Sequence, residues 1–372
     1  MKYYLLAGEA SGDLHGSNLM KALLKADPEA NFRFWGGDLM QNVGGTLVLH
    51  YKERSFMGFL EVLMNLGKIL GLIKSCKKDI ASFKPDVIIF IDNSGFNLRI
   101  AEWAKKEGFR TNYYISPQVW ASRAGRVEKI KRDIDAMYVI LPFEKAFYDK
   151  YNYEVTFVGH PLIDAIAEFK TEKQDQFRAK HNLDERPIIA LLPGSRKQEI
   201  NKMLGVMLEM VDLYKNYQFV IAGAPSQSHE FYESIIGSQD VKFVTNATYA
   251  LLEQSHAALV TSGTATLETA LFKVPQVVCY KANAISYYIA KKIITLDYIS
   301  LVNLIMDKEI VTELIQHDLN KTRLQKELEA ILNTNKRPEM LANYDQLIAK
   351  LGGEGASKNA AEHIVARLKA PK

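Results

Sequence analysis

Three turns in this chain carry residue types suited to an anionic, sugar-bearing ligand. Residues 256–269 read His-Ala-Ala-Leu-Val-Thr-Ser-Gly-Thr-Ala-Thr-Leu-Glu-Thr, a short apolar strand followed by a turn of hydroxyls and glycine and the first turn of a helix. Small side chains at Ser262, Gly263 and Thr264 leave backbone N–H groups uncovered at a helix N-terminus, where the macrodipole favours a phosphate. Glu268 falls about one turn inside; a carboxylate there repels phosphate but accepts hydrogen bonds from sugar hydroxyls. The plainer reading is a capped helix, with Thr264 as N-cap and Glu268 favouring the dipole. A second turn, Pro193-Gly194-Ser195-Arg196, again exposes backbone donors before a helix, and Arg196 adds a planar fork suited to a diphosphate. The third is Asp92-Asn93-Ser94-Gly95-Phe96-Asn97, which ends the apolar run Val87–Ile91. An acid at the carboxyl end of a buried parallel strand lies where open α/β sheets bind ligands, so Asp92 is a candidate general base. Loop aspartates also cap turns, and position alone does not separate the two roles.

Further signals are weaker. Lys2–Ala7 reads as a strand leading into Gly8-Glu9-Ala10-Ser11-Gly12-Asp13, with a helix after it. The glycines permit close ligand approach, but the spacing matches neither the dinucleotide fingerprint nor the phosphate loop, so no nicotinamide or ATP site is expected. His160, in Gly159-His160-Pro161, is able to donate to a phosphate or move a proton; a lone loop histidine is more often structural. A basic segment with Arg123, Arg126, Lys129, Lys131 and Arg132 is either a surface for phospholipid headgroups or phosphorylated substrate, or a solvated helix face.

The elements that must position these turns alternate. Strands are expected at 32–35, 47–49, 87–91, 111–115, 135–141 and 155–158, then at 188–192, 219–222, 241–244, 257–261 and 276–280, with helical spacing between them. Such alternation implies parallel sheets flanked by helices, and 372 residues are ample for two domains. The boundary is placed at 164/165, giving domains 1–164 and 165–372. Residues 297–304 read as an extended segment; 357–368 form a final amphipathic helix, which either crosses to the first domain or packs on another subunit.

Composition narrows the classes. A hydrophobic content of 48% with 24% charged residues is that of a globular protein. A net charge of +4 is too small to argue for nucleic acid and fits anionic substrates or an anionic membrane surface. Cys76 and Cys279 are too few for a disulfide framework or zinc site. Residues 55–78 form an amphipathic stretch whose apolar face, widened by Met57, Val62, Met64 and Ile69, suits either lipid contact or a buried helix pair. Glu61, Asn65 and Lys68 interrupt it, so no transmembrane span is expected. The N-terminus lacks the features of a signal peptide.

Taken in order, the segments at 8–13, 57–63, 91–97, 116–120, 141–144, 159–161, 192–196, 262–268 and 297–304 resemble those of the lipid-A-disaccharide synthases over essentially the whole chain. The resemblance implies the GT-B glycosyltransferase fold, two Rossmann-like α/β/α domains facing a cleft. It implies transfer, with inversion, from UDP-2,3-diacylglucosamine to 2,3-diacylglucosamine 1-phosphate, giving the β-1,6 disaccharide 1-phosphate and UDP. Asp92 would be the catalytic base. Gly194, Ser195, Arg196, Ser262, Gly263, Thr264, Glu268 and Asn303 would hold UDP, with Glu268 on the ribose. Ser11, Gly12, Asp13, Met57 and Glu61 are acceptor-side or loop candidates, and Asp13 and Glu9 are rival bases. Neither a cofactor nor a metal is expected, since the sequence offers no paired acidic cluster for a Mg²⁺–diphosphate site. The resemblance implies acylated glucosamines and the cytoplasmic face of the inner membrane as partners; whether a homodimer forms is open. Two departures stand out: Asn93-Ser94-Gly95 replaces a proline and often a second acid, and Ser122 replaces a common aromatic. The nearest rivals are a UDP-sugar 2-epimerase and a non-catalytic nucleotide-sugar or lipid-binding module.

Overall fold

The computed structural model describes the chain except for residues 55–65, 123, 171–175, 284–286, 288–295, 334 and 371–372. It divides into two compact units, Met1–Asp164 with Leu351–Lys372, and Ala165–Lys350.

The first unit is built on seven parallel strands: β1 (Lys2–Ala7), β2 (Asn31–Gly36), β3 (Thr46–His50), β4 (Val87–Ile91), β5 (Thr111–Tyr114), β6 (Ala136–Val139) and β7 (Thr156–Phe157), in the order β3-β2-β1-β4-β5-β6-β7. Apolar runs such as Val-Ile-Ile-Phe-Ile form the central strands because a parallel sheet is covered on both faces. The strand period of two then splits the core. Tyr4, Leu6, Ile88 and Phe90 join Ile73, Cys76 and Ile80 of helix Leu66–Phe83 on one face. Tyr3, Leu5, Ala7, Ile89 and Ile91 join Leu19, Met20 and Leu23 of helix Ala10–Ala26 on the other. Gly12 keeps that second contact close, since a Cβ there would lie only 3.2 Å from the Ala7 Cβ.

The final helix, Ala356–Lys369, completes the second face with Ala360, Ala361, Ile364 and Val365. Its small residues permit close approach to helix Ala10–Ala26, and the second unit therefore ends at Lys350 rather than 372. Asp164 secures the entry, accepting from Gly355 N at 2.6 Å and Ser357 N at 3.2 Å.

The second unit repeats the plan with six parallel strands: β8 (Ile188–Leu192), β9 (Gln218–Gly223), β10 (Val241–Thr245), β11 (Ser255–Thr261), β12 (Gln276–Tyr280) and β13 (Glu313–Ile315), ordered β10-β9-β8-β11-β12-β13. Ile188, Ala190, Leu192, Val220, Ala258 and Val260 share one face of its core. Residues 297–304 are not one extended segment. Helix Leu301–Met306 begins there, its Ser300 cap accepting from Asn303 N at 3.3 Å. Cys76 and Cys279 are buried free thiols.

Candidate functional site

In both sheets the order reverses direction at one place, between β1 and β4 and between β8 and β11. The carboxyl ends of the strands flanking such a switch diverge and leave room for a ligand. In the first unit Ala7 pairs with Ile91, so the Glu9 loop and Asp92 emerge side by side. Asp92 and Asn93 both take φ +45°, a left-handed conformation costing about 1–3 kcal/mol each outside glycine. Asn97 sustains it: fully buried, its Nδ2 donates to the carbonyls of Asp92 at 2.8 Å, Ile91 at 3.2 Å and Leu6 at 3.3 Å. The Tyr113 hydroxyl donates to the same Asp92 carbonyl. With its backbone turned in this way, Asp92 presents surface to solvent. The protein packed around its carboxyl still removes enough water to raise its pKa; the Asn93 N–H opposes that rise, and the Glu9 charge adds to it.

Asp13 takes a different role from the one expected of it. It is buried and accepts from Gly37 N at 2.7 Å, Met40 N at 3.1 Å and Leu39 N at 3.0 Å, capping the helix Asp38–Val43. With those bonds made it is a structural cap, while Glu9 and Ser11 remain exposed and Gly12 is packing. Met57 and Glu61 lie outside the described residues.

His160 is buried, its Nδ1 accepting from Leu162 N at 3.2 Å; burial pushes its pKa down to about 3, and His15 nearby adds to this. The imidazole is thus neutral and oriented by the turn, not a proton carrier near pH 7. The basic helix is largely compensated. Lys129 meets Glu102 at 2.7 Å, Arg132 chelates Asp133 at 2.7 and 2.8 Å, and Lys131 donates to the Tyr151 carbonyl at 3.0 Å. Beside it Glu144 is buried, and desolvation pushes its pKa up to about 7 against hydrogen bonds from Leu141 N at 2.9 Å and Ile140 N at 3.2 Å.

In the second unit Leu192 pairs with Val260, which brings the Gly194–Arg196 and Ser262–Thr264 turns together at the switch. Gly194 has φ +103°, and a Cβ there would lie 2.9 Å from Glu199 Oε2. Arg196 precedes helix Lys197–Leu208, is exposed, and its Nη1 reaches Glu199 Oε1 at 3.2 Å. Ser195 is exposed as well. On the neighbouring turn, Ser262 N donates to the Cys279 carbonyl at 3.3 Å and Ser262 Oγ to the Ile299 carbonyl at 2.9 Å. Ser262 is therefore committed to the fold. The exposed Gly263 and Thr264 stand at the start of helix Thr264–Leu271, where first-turn amides lack intrahelical acceptors.

Glu268 is partly buried, and its Oε1 accepts from the Tyr249 hydroxyl at 3.1 Å. Burial raises its pKa, and the tyrosine hydrogen bond opposes that rise. Tyr249 is itself held between Phe272, ring centroids 5.3 Å apart, and Phe169 at 5.6 Å. Sequence spacing pointed to neither Tyr249 nor Glu313.

Asn303, expected to face the nucleotide, is fully buried, and the protein uses both ends of its amide. Its Oδ1 accepts from Ile310 N at 2.8 Å and Val311 N at 3.0 Å. Its Nδ2 donates to the Val311 carbonyl and to Glu313 Oε1, both at 2.9 Å. Glu313 also accepts from Ile299 N and Ser300 N at 2.9 Å, so the pair fixes the very loop whose carbonyl holds Ser262. Asn303 is thus spent on holding its own loop. Among the described residues, no group of three or more His, Cys, Asp or Glu is placed to hold a metal ion.

Known proteins place the chain in a family. A family described as lipid-A-disaccharide synthetase matches residues 3–367. The lipid-A-disaccharide synthase of Syntrophus aciditrophicus is 39% identical over 374 residues, covering 98% of this chain and 97% of the relative. That of Coxiella burnetii is 36% identical over 366 residues, covering 97% and 96%. The chain belongs to the lipid-A-disaccharide synthase family. Its fold is shared more widely. The UDP-GlcNAc 2-epimerase of Neisseria meningitidis, solved with UDP-GlcNAc, superposes with a TM-score of 0.69 at 13% identity, covering 99% of each chain. A calicheamicin glycosyltransferase does so at 0.62 and 14%, again over 99% of each. At those identities the likeness is one of fold, that of GT-B glycosyltransferases and 2-epimerases. Membership among the lipid-A-disaccharide synthases makes this chain a glycosyltransferase.

Proposed function

We propose that the chain transfers the diacylglucosaminyl group of UDP-2,3-diacylglucosamine to the 6-hydroxyl of 2,3-diacylglucosamine 1-phosphate, with inversion. The observation that carries this reading is the family match across residues 3–367, which spans both switch points. Asp92 takes the proton of the acceptor hydroxyl as its oxygen bonds to the anomeric carbon. The bond from that carbon to the diphosphate breaks, and its electron pair leaves on UDP. A base with a raised pKa suits this role, because it holds the abstracted proton more firmly.

The leaving diphosphate is met by Arg196 and by the amides of Gly263 and Thr264, with the Gly194-Ser195 backbone alongside. Fixed donors of this kind are typically worth about 3–4 kcal/mol each to a transition state whose charge grows where they point. Glu268, with one oxygen on Tyr249, turns the other toward the ribose hydroxyls. No described helix is long and apolar enough to cross a membrane. Attachment is assigned instead to the cytoplasmic face of the inner membrane. Leu70, 61% exposed between exposed Lys68 and Lys74, supports a peripheral contact through helix Leu66–Phe83.

The test is mass spectrometry of the two acylated sugars incubated with protein, combined with UDP titration of Arg196→Ala. The reading expects the disaccharide phosphate from wild type and at least tenfold weaker UDP binding in the variant, the loss of one charge-assisted contact being roughly 1.5–3 kcal/mol. Conversion of a UDP-sugar with no acceptor present would mark an epimerase instead.

A further inference from the structure

Two guanidinium groups of the first unit meet no carboxylate among the described residues, and they line one cavity. Arg110 immediately precedes β5, and Arg367 lies in the last turn of the terminal helix. The cavity, of about 640 Å³, is also lined by Lys105, Asp135, Phe109 and Leu368. Three arginines elsewhere in the chain are neutralised by contrast: Arg33 by Asp79, Arg132 by Asp133, Arg186 by Asp184.

Here each guanidinium is oriented by neutral carbonyls. Arg110 Nη1 donates to the carbonyls of Arg367 at 3.1 Å and Leu368 at 3.3 Å, and Arg367 Nη2 to that of Asp135 at 3.1 Å. The remaining N–H groups of both forks have no acceptor among the described residues. The one acid in the cavity is already engaged. Asp135 Oδ1 pairs with Lys105, and Oδ2 accepts from Thr111 N at 2.9 Å and Thr111 Oγ1 at 3.2 Å. Lys105, Arg110 and Arg367 against Asp135 leave a surplus of positive charge, and the two guanidinium groups are already turned by their carbonyl partners. Two such forks match the oxygens of a phosphate, and preorganisation lowers the entropy cost of holding it.

We propose that this cavity is a binding site for a phosphate ester, separate from the transfer site. It opens at the amino ends of β5 and β6, whereas Asp92 follows the carboxyl end of β4 in the same parallel sheet. A strand of four residues separates the two ends by roughly 13 Å. The volume exceeds what a bare phosphate needs, and Phe109 and Leu368 supply an apolar wall, so the ester carries a small organic group. Glycerol phosphate presents that chemistry, either as the free ester or as the headgroup of an anionic phospholipid. An anion shared by Arg110 and Arg367 also fastens the terminal helix to the start of β5.

The probe is glycerol 3-phosphate, titrated into full-length protein at constant ionic strength against chloride. The reporters are tryptophan fluorescence, Trp103 packing against the cavity residue Phe109 with ring centroids 5.8 Å apart, and the thermal midpoint. We expect saturable binding that weakens about tenfold in Arg367→Gln, less in Arg367→Lys, and not at all in Arg196→Ala. The Arg196→Ala result keeps this test independent of the donor site. Flotation with phosphatidylglycerol vesicles distinguishes the sources. Vesicle binding that glycerol 3-phosphate competes away and Arg367→Gln weakens assigns the lipid; binding of the soluble ester alone assigns the free compound. Equal titration of wild type and Arg367→Gln, loss of the response in Arg196→Ala, or no saturation by either probe overturns the proposal.

Discussion

Replacing Asn303 by alanine separates a residue that positions a site from one that touches the ligand. The substitution removes four hydrogen bonds from a position with no exposure: two accepted from Ile310 N and Val311 N, and two donated to the Val311 carbonyl and Glu313. Glu313 keeps its bonds from Ile299 and Ser300, so the orphaned groups are three backbone ones. Each buried unsatisfied group costs about 1–3 kcal/mol. A water entering the vacated volume recovers part of that, which leaves a loss of about 3 kcal/mol. For a unit the size of 165–350 this lowers the thermal midpoint by roughly 6–12 °C. The assay is calorimetric unfolding with and without UDP, paired with UDP titration at a temperature where the variant is folded. The expected result is a clear fall in the midpoint with UDP affinity within about threefold of wild type. Asn303→Asp, which sets a second carboxylate against Glu313, is expected to be destabilised as well, and to recover on acidification as the pair takes up a proton. An Asn303→Ala protein with an unchanged midpoint and tenfold weaker UDP binding would refute the argument.

Asp92→Asn is expected to lower single-turnover rates by about 10²–10⁴ while UDP affinity stays close to wild type, a split read directly from binding and kinetics. Tyr249→Phe removes the donor that opposes burial at Glu268, so the Glu268 pKa rises further and the acid limb of UDP binding moves to higher pH. Its UDP affinity near pH 7 is expected to fall by roughly three- to tenfold, measured as a pH series. Glu144, raised from 4.5 to about 7, binds its proton more tightly folded than unfolded. The stability it contributes is therefore full below pH 4.5 and lost as pH climbs to about 7, a range worth roughly 3 kcal/mol. Glu144→Gln is expected to flatten that part of the stability profile in urea titrations from pH 4 to 8.

The sheets were legible because their signal is local. Runs such as Val87–Ile91 and Ile188–Leu192 need both faces covered, and that requirement is written in consecutive residues. The turns at Gly194 and Gly263 were legible for the same reason. What the sequence concealed were side chains whose partners are distant in the chain. Asp13 has the appearance of a loop acid until residues 37–40 arrive to use its oxygens. Asn303 resembles a ligand contact until β13 brings Glu313 to it, and Tyr249 has no local feature that marks it as the partner of Glu268. The basic helix misled in the opposite direction, its charge being partly offset by Asp133 on the helix itself and by Glu102 on a different one. The helix at Leu301–Met306 was missed despite a serine cap, because the apolar run after Ser300 suits a strand equally well.

The return of helix Ala356–Lys369 to the first unit has a consequence for how the protein is made. The surface formed by Leu19, Met20, Leu23 and the neighbouring strand residues is finished only by Ala360, Ala361, Ile364 and Val365. During synthesis the whole of Ala165–Lys350 is threaded out before those residues appear. At about 5–20 residues per second, the nascent first sheet waits roughly ten to forty seconds with that face uncovered. Throughout that interval the exposed face is a substrate for holdase chaperones, and a chain cut short between residues 164 and 356 leaves the ribosome with it still open.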